Sequence, residues 1–136
     1  MSRSRIAFIA VSALAMTGCT YGKQEVEQPP LAERDPSVRI TGPAVSCIPI
    51  RQFNQTRVRD RRTVDFMKTS RTGWRNVLPQ DCGGLMSDRA FTFSTALSQL
   101  CDVDIIRPLV SYGGEIQPQG ACGLGKFVPI EIVRKK

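Results

Sequence analysis

The sequence predicts a mainly β fold: a small, disulfide-stabilised antiparallel meander, barrel or sandwich with one or two short helical turns. Three observations predict it. Short runs alternate apolar and polar residues, turn signals recur between those runs, and four cysteines lie downstream of an export-type amino terminus. Thr56 to Asp60 alternates with Val58 flanked by Arg57 and Arg59, and Thr63 to Lys68 puts Val64 and Phe66 on one face with Thr63 and Asp65 on the other. Asp60-Arg61-Arg62 supplies the turn between them. After the loop signal Ser70-Arg71-Thr72-Gly73, Trp74 to Leu78 reads as a third strand that Pro79 stops.

Further strands follow. Phe91 to Thr95 alternates cleanly, Ser98 to Leu100 reads as a helical turn, and Asp102 to Ile106 as another strand. Tyr112-Gly113-Gly114-Glu115 is a turn. Phe127 to Val133 is a last extended segment, which Pro129 assigns to a sheet edge because it lacks a ladder donor. Short strands at this spacing suit a small barrel or sandwich, and no internal repeat is present.

The amino terminus has the three parts of an export signal. Arg3 and Arg5 supply positive charge, Ile6 to Met16 is apolar apart from Ser12, and Thr17-Gly18 places small residues before Cys19. A run of this length is far short of the roughly 20 residues that span a bilayer. Met16-Thr17-Gly18-Cys19 has the form of a bacterial lipobox, whose cysteine thiol takes a diacylglyceryl group and whose freed amine is then acylated. Stable anchoring needs more than one acyl chain, and such a cysteine supplies it. Thr20, rather than an aspartate, follows Cys19 and favours outer-membrane sorting.

The expected organisation is a signal peptide over 1–18, a lipidated Cys19 and tether over 19–45, a small β domain over 46–133 and a basic tail over 134–136. The tether lacks apolar periodicity, and Pro29-Pro30 favours extended polyproline conformation. The chain carries a net charge of +7, of which Arg3 and Arg5 belong to the signal, leaving +5 on the mature side chains. Setting Cys19 aside leaves Cys47, Cys82, Cys101 and Cys122. In an oxidising compartment these pair, and of the three possible pairings Cys82 with Cys101 and Cys47 with Cys122 is the expected one. No Cys-x-x-Cys motif exists and the chain has no histidine, so neither a metal site nor a cofactor is expected.

Seven basic residues crowd Arg57 to Arg75 against Asp60 and Asp65 alone. Alternate residues of a strand share a face, so Arg57, Arg59 and Arg61 are expected to align beside Trp74, with Arg62, Arg71 and Arg75 completing a surface for an anionic partner. Nucleic acid suits the charge but not the compartment. Gly120 to Lys126 satisfies Gly-x-x-x-x-Gly-Lys, yet Phe127 stands where Ser or Thr must hold magnesium and Pro129 interrupts the required helix, so no nucleotide site is expected. Asn54-Gln55-Thr56 matches a glycosylation sequon that a bacterial export signal makes coincidental. Without histidine, Ser-His-Asp and Cys-His catalysis are excluded. Asp102 and Asp104, with Asp88 or Glu115, are the carboxylates left for cation binding or acid–base chemistry.

Cys47-Ile48, Thr56-Arg57-Val58, Thr63-Val64-Asp65-Phe66, Leu78-Pro79 with Cys82, Leu100-Cys101 with Asp104-Ile105, and Cys122-Gly123-Leu124-Gly125 with Phe127 and Pro129 form a dispersed pattern. It resembles a family of small proteobacterial exported proteins and lipoproteins of unknown function over residues 46–131. The resemblance implies a cysteine-containing domain behind a lipoprotein signal and no particular activity. The expected protein is a non-enzymatic, lipid-anchored periplasmic binding or interaction module of the bacterial envelope, attached to membrane lipid through Cys19. The alternative is a small carboxylate-dependent envelope enzyme.

Overall fold

The computed structural model describes residues 37–133. The expected signal peptide, Cys19, the tether up to residue 36 and the tail at 134–136 lie outside the described residues. The described chain is a two-layer antiparallel β structure with a third, small two-stranded sheet. The strands are β1 (Val38–Ile40), β2 (Cys47–Pro49), β3 (Gln55–Val58), β4 (Thr63–Met67), β5 (Thr72–Val77), β6 (Ala90–Phe93), β7 (Gln99–Cys101), β8 (Ile105–Tyr112), β9 (Glu115–Pro118), β10 (Cys122–Gly123) and β11 (Phe127–Ile132). One sheet has the order β1-β11-β5-β4-β3; β10, β8 and β6 form the other, with β9 also on β8; β2 pairs with β7.

Local chemistry accounts for the β3-β4-β5 meander. Val58 pairs with Val64 at the end of the first hairpin, and the Asp60 carboxylate accepts the Arg62 amide at 2.7 Å to close its turn. At the next turn the Thr69 hydroxyl accepts the Thr72 amide at 3.0 Å, and β5 begins there. Gly113 and Gly114, with φ of 62° and 88°, connect β8 to β9. Two successive positive φ angles suit the two-residue hairpin whose twist matches its strands.

Phe66 organises the core between the layers. Its ring meets Phe53 at 5.2 Å, Phe127 at 5.5 Å and Phe91 at 5.9 Å, all edge-to-face. Ile48 and Leu100 from the small sheet, Val64, Leu78, Leu85, Ile106 and Leu124 complete the buried cluster.

Five expectations are corrected. Ser98 to Leu100 is not helical: Thr95 takes the turn, its hydroxyl accepting the Leu97 amide at 3.2 Å, and Gln99–Cys101 pairs with β2. A three-residue stretch is too short for local propensity to prevail over that pairing. The strand expected over Asp102 to Ile106 starts only at Ile105, because the Asp104 carboxylate accepts the Cys101 amide at 2.7 Å and folds a turn there.

β11 is not an edge strand, since β1 and β5 flank it. Pro129 is tolerated because one residue's N–H and C=O point to the same side: its oxygen accepts from Thr41, just past the end of β1, so the missing donor faces a gap in that ladder rather than β5. Pro108 solves the same problem within β8. It lies between the partners of β10, which end at Ile106, and those of β9, which begin at Leu109. The domain also begins earlier than residue 46, because Val38–Ile40 pairs with β11 and Val45 bridges to Phe127. Val38-Arg39-Ile40-Thr41 does alternate, but so short a run did not stand out behind the polar, proline-rich residues before it.

The four domain cysteines do form two disulfides, but as Cys47–Cys101 and Cys82–Cys122. Cys47 and Cys101 are direct cross-strand partners in β2 and β7. That pairing places Cys82, in the loop after β5, with Cys122 on β10. Digestion under non-reducing conditions is expected to yield these two linked peptide pairs. Replacing Cys82 and Cys122 together by alanine should cost about 2–4 kcal/mol in chemical denaturation.

Candidate functional site

The basic stretch Arg57 to Arg75 is the sequence feature with the clearest functional expectation, and the sheet divides it. Strand register sets Arg57 opposite Asp65 and Asp65 opposite Arg75. Arg75 donates from Nε to Asp65 Oδ1 at 2.6 Å and from Nη2 to Oδ2 at 2.9 Å, while Arg59 Nε donates to the same Oδ2 at 2.6 Å. The Asp65 side chain is 0% exposed, Arg75 3% and Arg59 38%. Arg75 is therefore an internal partner of a buried carboxylate and not a surface contact for an anion. Arg59 is half committed to the same carboxylate.

Arg62 also serves the fold. Its guanidinium donates to the Leu78 carbonyl at 3.1 and 3.0 Å and to the Pro79 carbonyl at 2.9 Å, with Asp81 3.9 Å away. The backbone reinforces this clasp, since Leu78 N–H donates to Arg62 and Cys82 N–H to Arg61. The chain leaving β5 is thereby led to Cys82. Trp74 is on the opposite side of the sheet from Arg57: it is the cross-strand partner of Phe66 and packs against the core. The expected alignment of Arg57, Arg59 and Arg61 beside Trp74 does not form, because adjacent residues of a strand face opposite ways and Trp74 shares the parity of Phe66, not of Asp65.

What stays at the surface is Arg57, half-buried and bonded to Gln55 at 3.0 Å, together with exposed Arg61, Lys68 and Arg71. Arg61 is in the β3-β4 turn and Arg71 in the β4-β5 turn, at opposite ends of β4. Five residues of strand separate those turns, roughly 17 Å at the usual rise. They make two cationic points on one hairpin system, not one dense patch.

The carboxylates do not converge. Asp104 is held by the Cys101 amide, Asp88 accepts the Ser111 amide at 2.5 Å, and exposed Glu115 contacts Gln117 at 3.3 Å. Among the described residues no three metal-ligating side chains form a group. The Gly120 to Lys126 motif has a structural task. Asn76 clamps Gly125 from both sides, Nδ2 donating to its carbonyl at 2.6 Å and Oδ1 accepting its amide at 2.9 Å. A Cβ at Gly125 would lie 2.2 Å from the Val77 carbonyl oxygen, so glycine is needed for this approach to β5. An open cleft of about 240 Å³ lies beside it, lined by Pro79, Gln80, Asp81, Ala121, Cys122 and Gly123. Asp81 is the one charged group there.

Sequence reasoning missed Asp65 as the residue that organises the arginines. The available signal was a lone acid amid otherwise buried positions of an alternating strand. Removing it leaves Arg75 buried beside an unmade ion pair, a change that typically costs about 3–5 kcal/mol. Asp65→Ala is thus expected to lower the stability by that amount in urea denaturation, while Arg61→Glu, at an exposed turn, stays within about 0.5 kcal/mol of the parent. No family model, curated protein or solved structure matches this chain.

Proposed function

We propose that this chain is a lipid-anchored interaction protein of the bacterial envelope, held in the outer membrane by an acylated Cys19 with its β domain in the periplasm. The observation that carries the reading is the fate of the cysteines. Four of the five are consumed pairwise within the domain, and the fifth stands at the end of a lipobox. Two structural disulfides suit an oxidising compartment, and an export signal delivers the chain to one. The dispersed cysteine pattern that resembles small exported lipoproteins is part of the same proposal.

The binding element is the exposed remainder of the basic stretch. Arg57, Arg61 and Arg71 offer guanidinium groups to an anionic envelope component, with phospholipid headgroups the simplest case. Each cation near an anionic surface contributes about 1 kcal/mol, and salt weakens the attraction. Arg59, Arg62, Trp74 and Arg75, first expected in this surface, support it from within by fixing the strands and turns that carry it.

Two measurements test the reading separately. Cys19→Ser should move the protein from the membrane fraction to the soluble fraction. The triple exchange Arg57→Glu, Arg61→Glu and Arg71→Glu should weaken sedimentation with anionic phospholipid vesicles by about a hundredfold or more, since it deletes about 3 kcal/mol of attraction. A protein that stays membrane-bound without Cys19 defeats the anchor, and unchanged vesicle binding by the triple variant defeats the basic surface.

A further inference from the structure

β3 is an outer strand of the five-stranded sheet, paired with β4 on one side and with no described strand on the other. Arg59 N–H donates to the Thr63 carbonyl at 2.9 Å, so the alternate residue Arg57 also bonds inward to β4. Thr56 and Val58 therefore turn their N–H and C=O groups to the open side, and Thr56 is exposed. This row of donors and acceptors has no ladder partner among the described residues.

Edges of this kind are usually blunted, and the fold blunts another one. At β9, Gln119 N–H donates to the Pro108 carbonyl, which turns Pro118 to the free side with no N–H to offer. β3 has no proline; it carries Arg57. A charge of that kind blocks only its own sign. A second copy of β3 laid antiparallel on this edge, with Thr56 opposite Val58, brings the two Arg57 side chains together. A strand bearing acids meets attraction at the same point.

We propose that β3 binds an extended acidic polypeptide, which joins the sheet as a further strand, antiparallel like every other pair in it. The residues opposite Thr56 and Val58 exchange main-chain hydrogen bonds with them. The residue between stands about 4.5 Å from Arg57, Cα to Cα, with its side chain on the same face. An acid there meets a guanidinium whose hydrogen bond goes to exposed Gln55. Two residues along, a second acid reaches Arg59, which is 38% exposed and gives one hydrogen bond to Asp65.

Arg61 in the turn and Lys68 just past the end of β4 extend the positive charge beyond both ends of the edge. Asp60 is the one acid between Gln55 and Arg62, and its carboxylate holds the Arg62 amide. The residues between the two acids fall on the core side beside Val58, where a β-branched side chain packs best. The recognised segment thus alternates acidic and β-branched residues. This goes beyond the headgroup reading: a headgroup meets guanidinium groups alone, whereas a strand also needs the main chain of Thr56 and Val58.

An end-blocked peptide alternating glutamate with valine tests it by NMR on the isotope-labelled full-length protein, with a lysine-for-glutamate peptide as control. The glutamate peptide is expected to shift the Thr56 and Val58 amide signals and slow their hydrogen exchange several-fold, and the lysine peptide to leave them unchanged. Thr56→Pro removes an outward N–H and no bond to β4, so it is expected to weaken the peptide by about tenfold or more while vesicle sedimentation stays at the parent level. Arg57→Glu is expected to reverse the choice between the two peptides. Equal binding of both peptides, protection confined to other amides, or a folded Thr56→Pro variant that binds as the parent does overturns the proposal. Where Thr56→Pro fails to fold, an unreversed choice in Arg57→Glu overturns it equally. Protection of Thr56 without peptide in a concentration-dependent dimer also does so, by assigning the edge to a second copy. Unchanged vesicle binding by the triple arginine variant defeats the headgroup reading and leaves the amide readout on β3 standing.

Discussion

The carboxylate of Asp65, shared by Arg75 and Arg59, is the interaction on which the larger sheet depends. It ties β4 to β5 through two hydrogen bonds and to the end of β3 through a third. A buried ion pair is weak evidence of net stability, because desolvation of both partners opposes the attraction. Its effect on register is stronger. Sliding β5 by one residue against β4 would turn Arg75 into the apolar core and Trp74 out of it, leaving the buried Asp65 with Arg59 alone. On the other side of the same strand Phe66 contacts three aromatic rings, so two adjacent residues specify both faces of β4.

The disulfides reinforce what this network does not reach. Cys47–Cys101 closes the small β2-β7 sheet, and Cys82–Cys122 joins the loop after β5 to β10. Neither bridge lies within the five-stranded sheet. That division has a physical basis: two- and three-residue strands bury too little to hold themselves, whereas the longer ladder has a core face and a polar network. The Arg62 clasp on Leu78 and Pro79 links the two regimes, leading the chain from the sheet to the cross-linked loop.

Much of this was legible in the sequence where the deciding interactions are local. The alternation of Thr63 to Phe66, the Asp60 turn and the Gly113-Gly114 turn each depend on residues within a few positions, and each was read correctly. The larger failures involve distant partners. Pro129 was assigned to an edge because its own chemistry allows an edge; that β1 stops beside it depends on Thr41 and Ile40, nearly ninety residues away. Disulfide pairing follows from β2 meeting β7, which no spacing of cysteines encodes. β9 went unread because Glu115 to Pro118 is exposed throughout and has no apolar alternation to betray it. At the candidate site the run of arginines was legible as charge, but not its division between interior and surface, since that division is set by strand parity across two ladders.

That division changes what the positive charge can do. Ion pairing inside the protein removes Arg75 and part of Arg59 from direct contact with a ligand, but it does not alter the net charge of the molecule. A field persists while the number of accessible guanidinium groups falls. Such a surface steers an anionic partner towards the domain and loses that effect with salt over a Debye length of about 8 Å. Specific recognition needs groups held at fixed spacing, and the exposed cations Arg61, Lys68 and Arg71 stand at the two ends of β4. The field therefore favours an extended anionic surface over a single small ligand, because a surface meets both ends at once and a small anion meets only one.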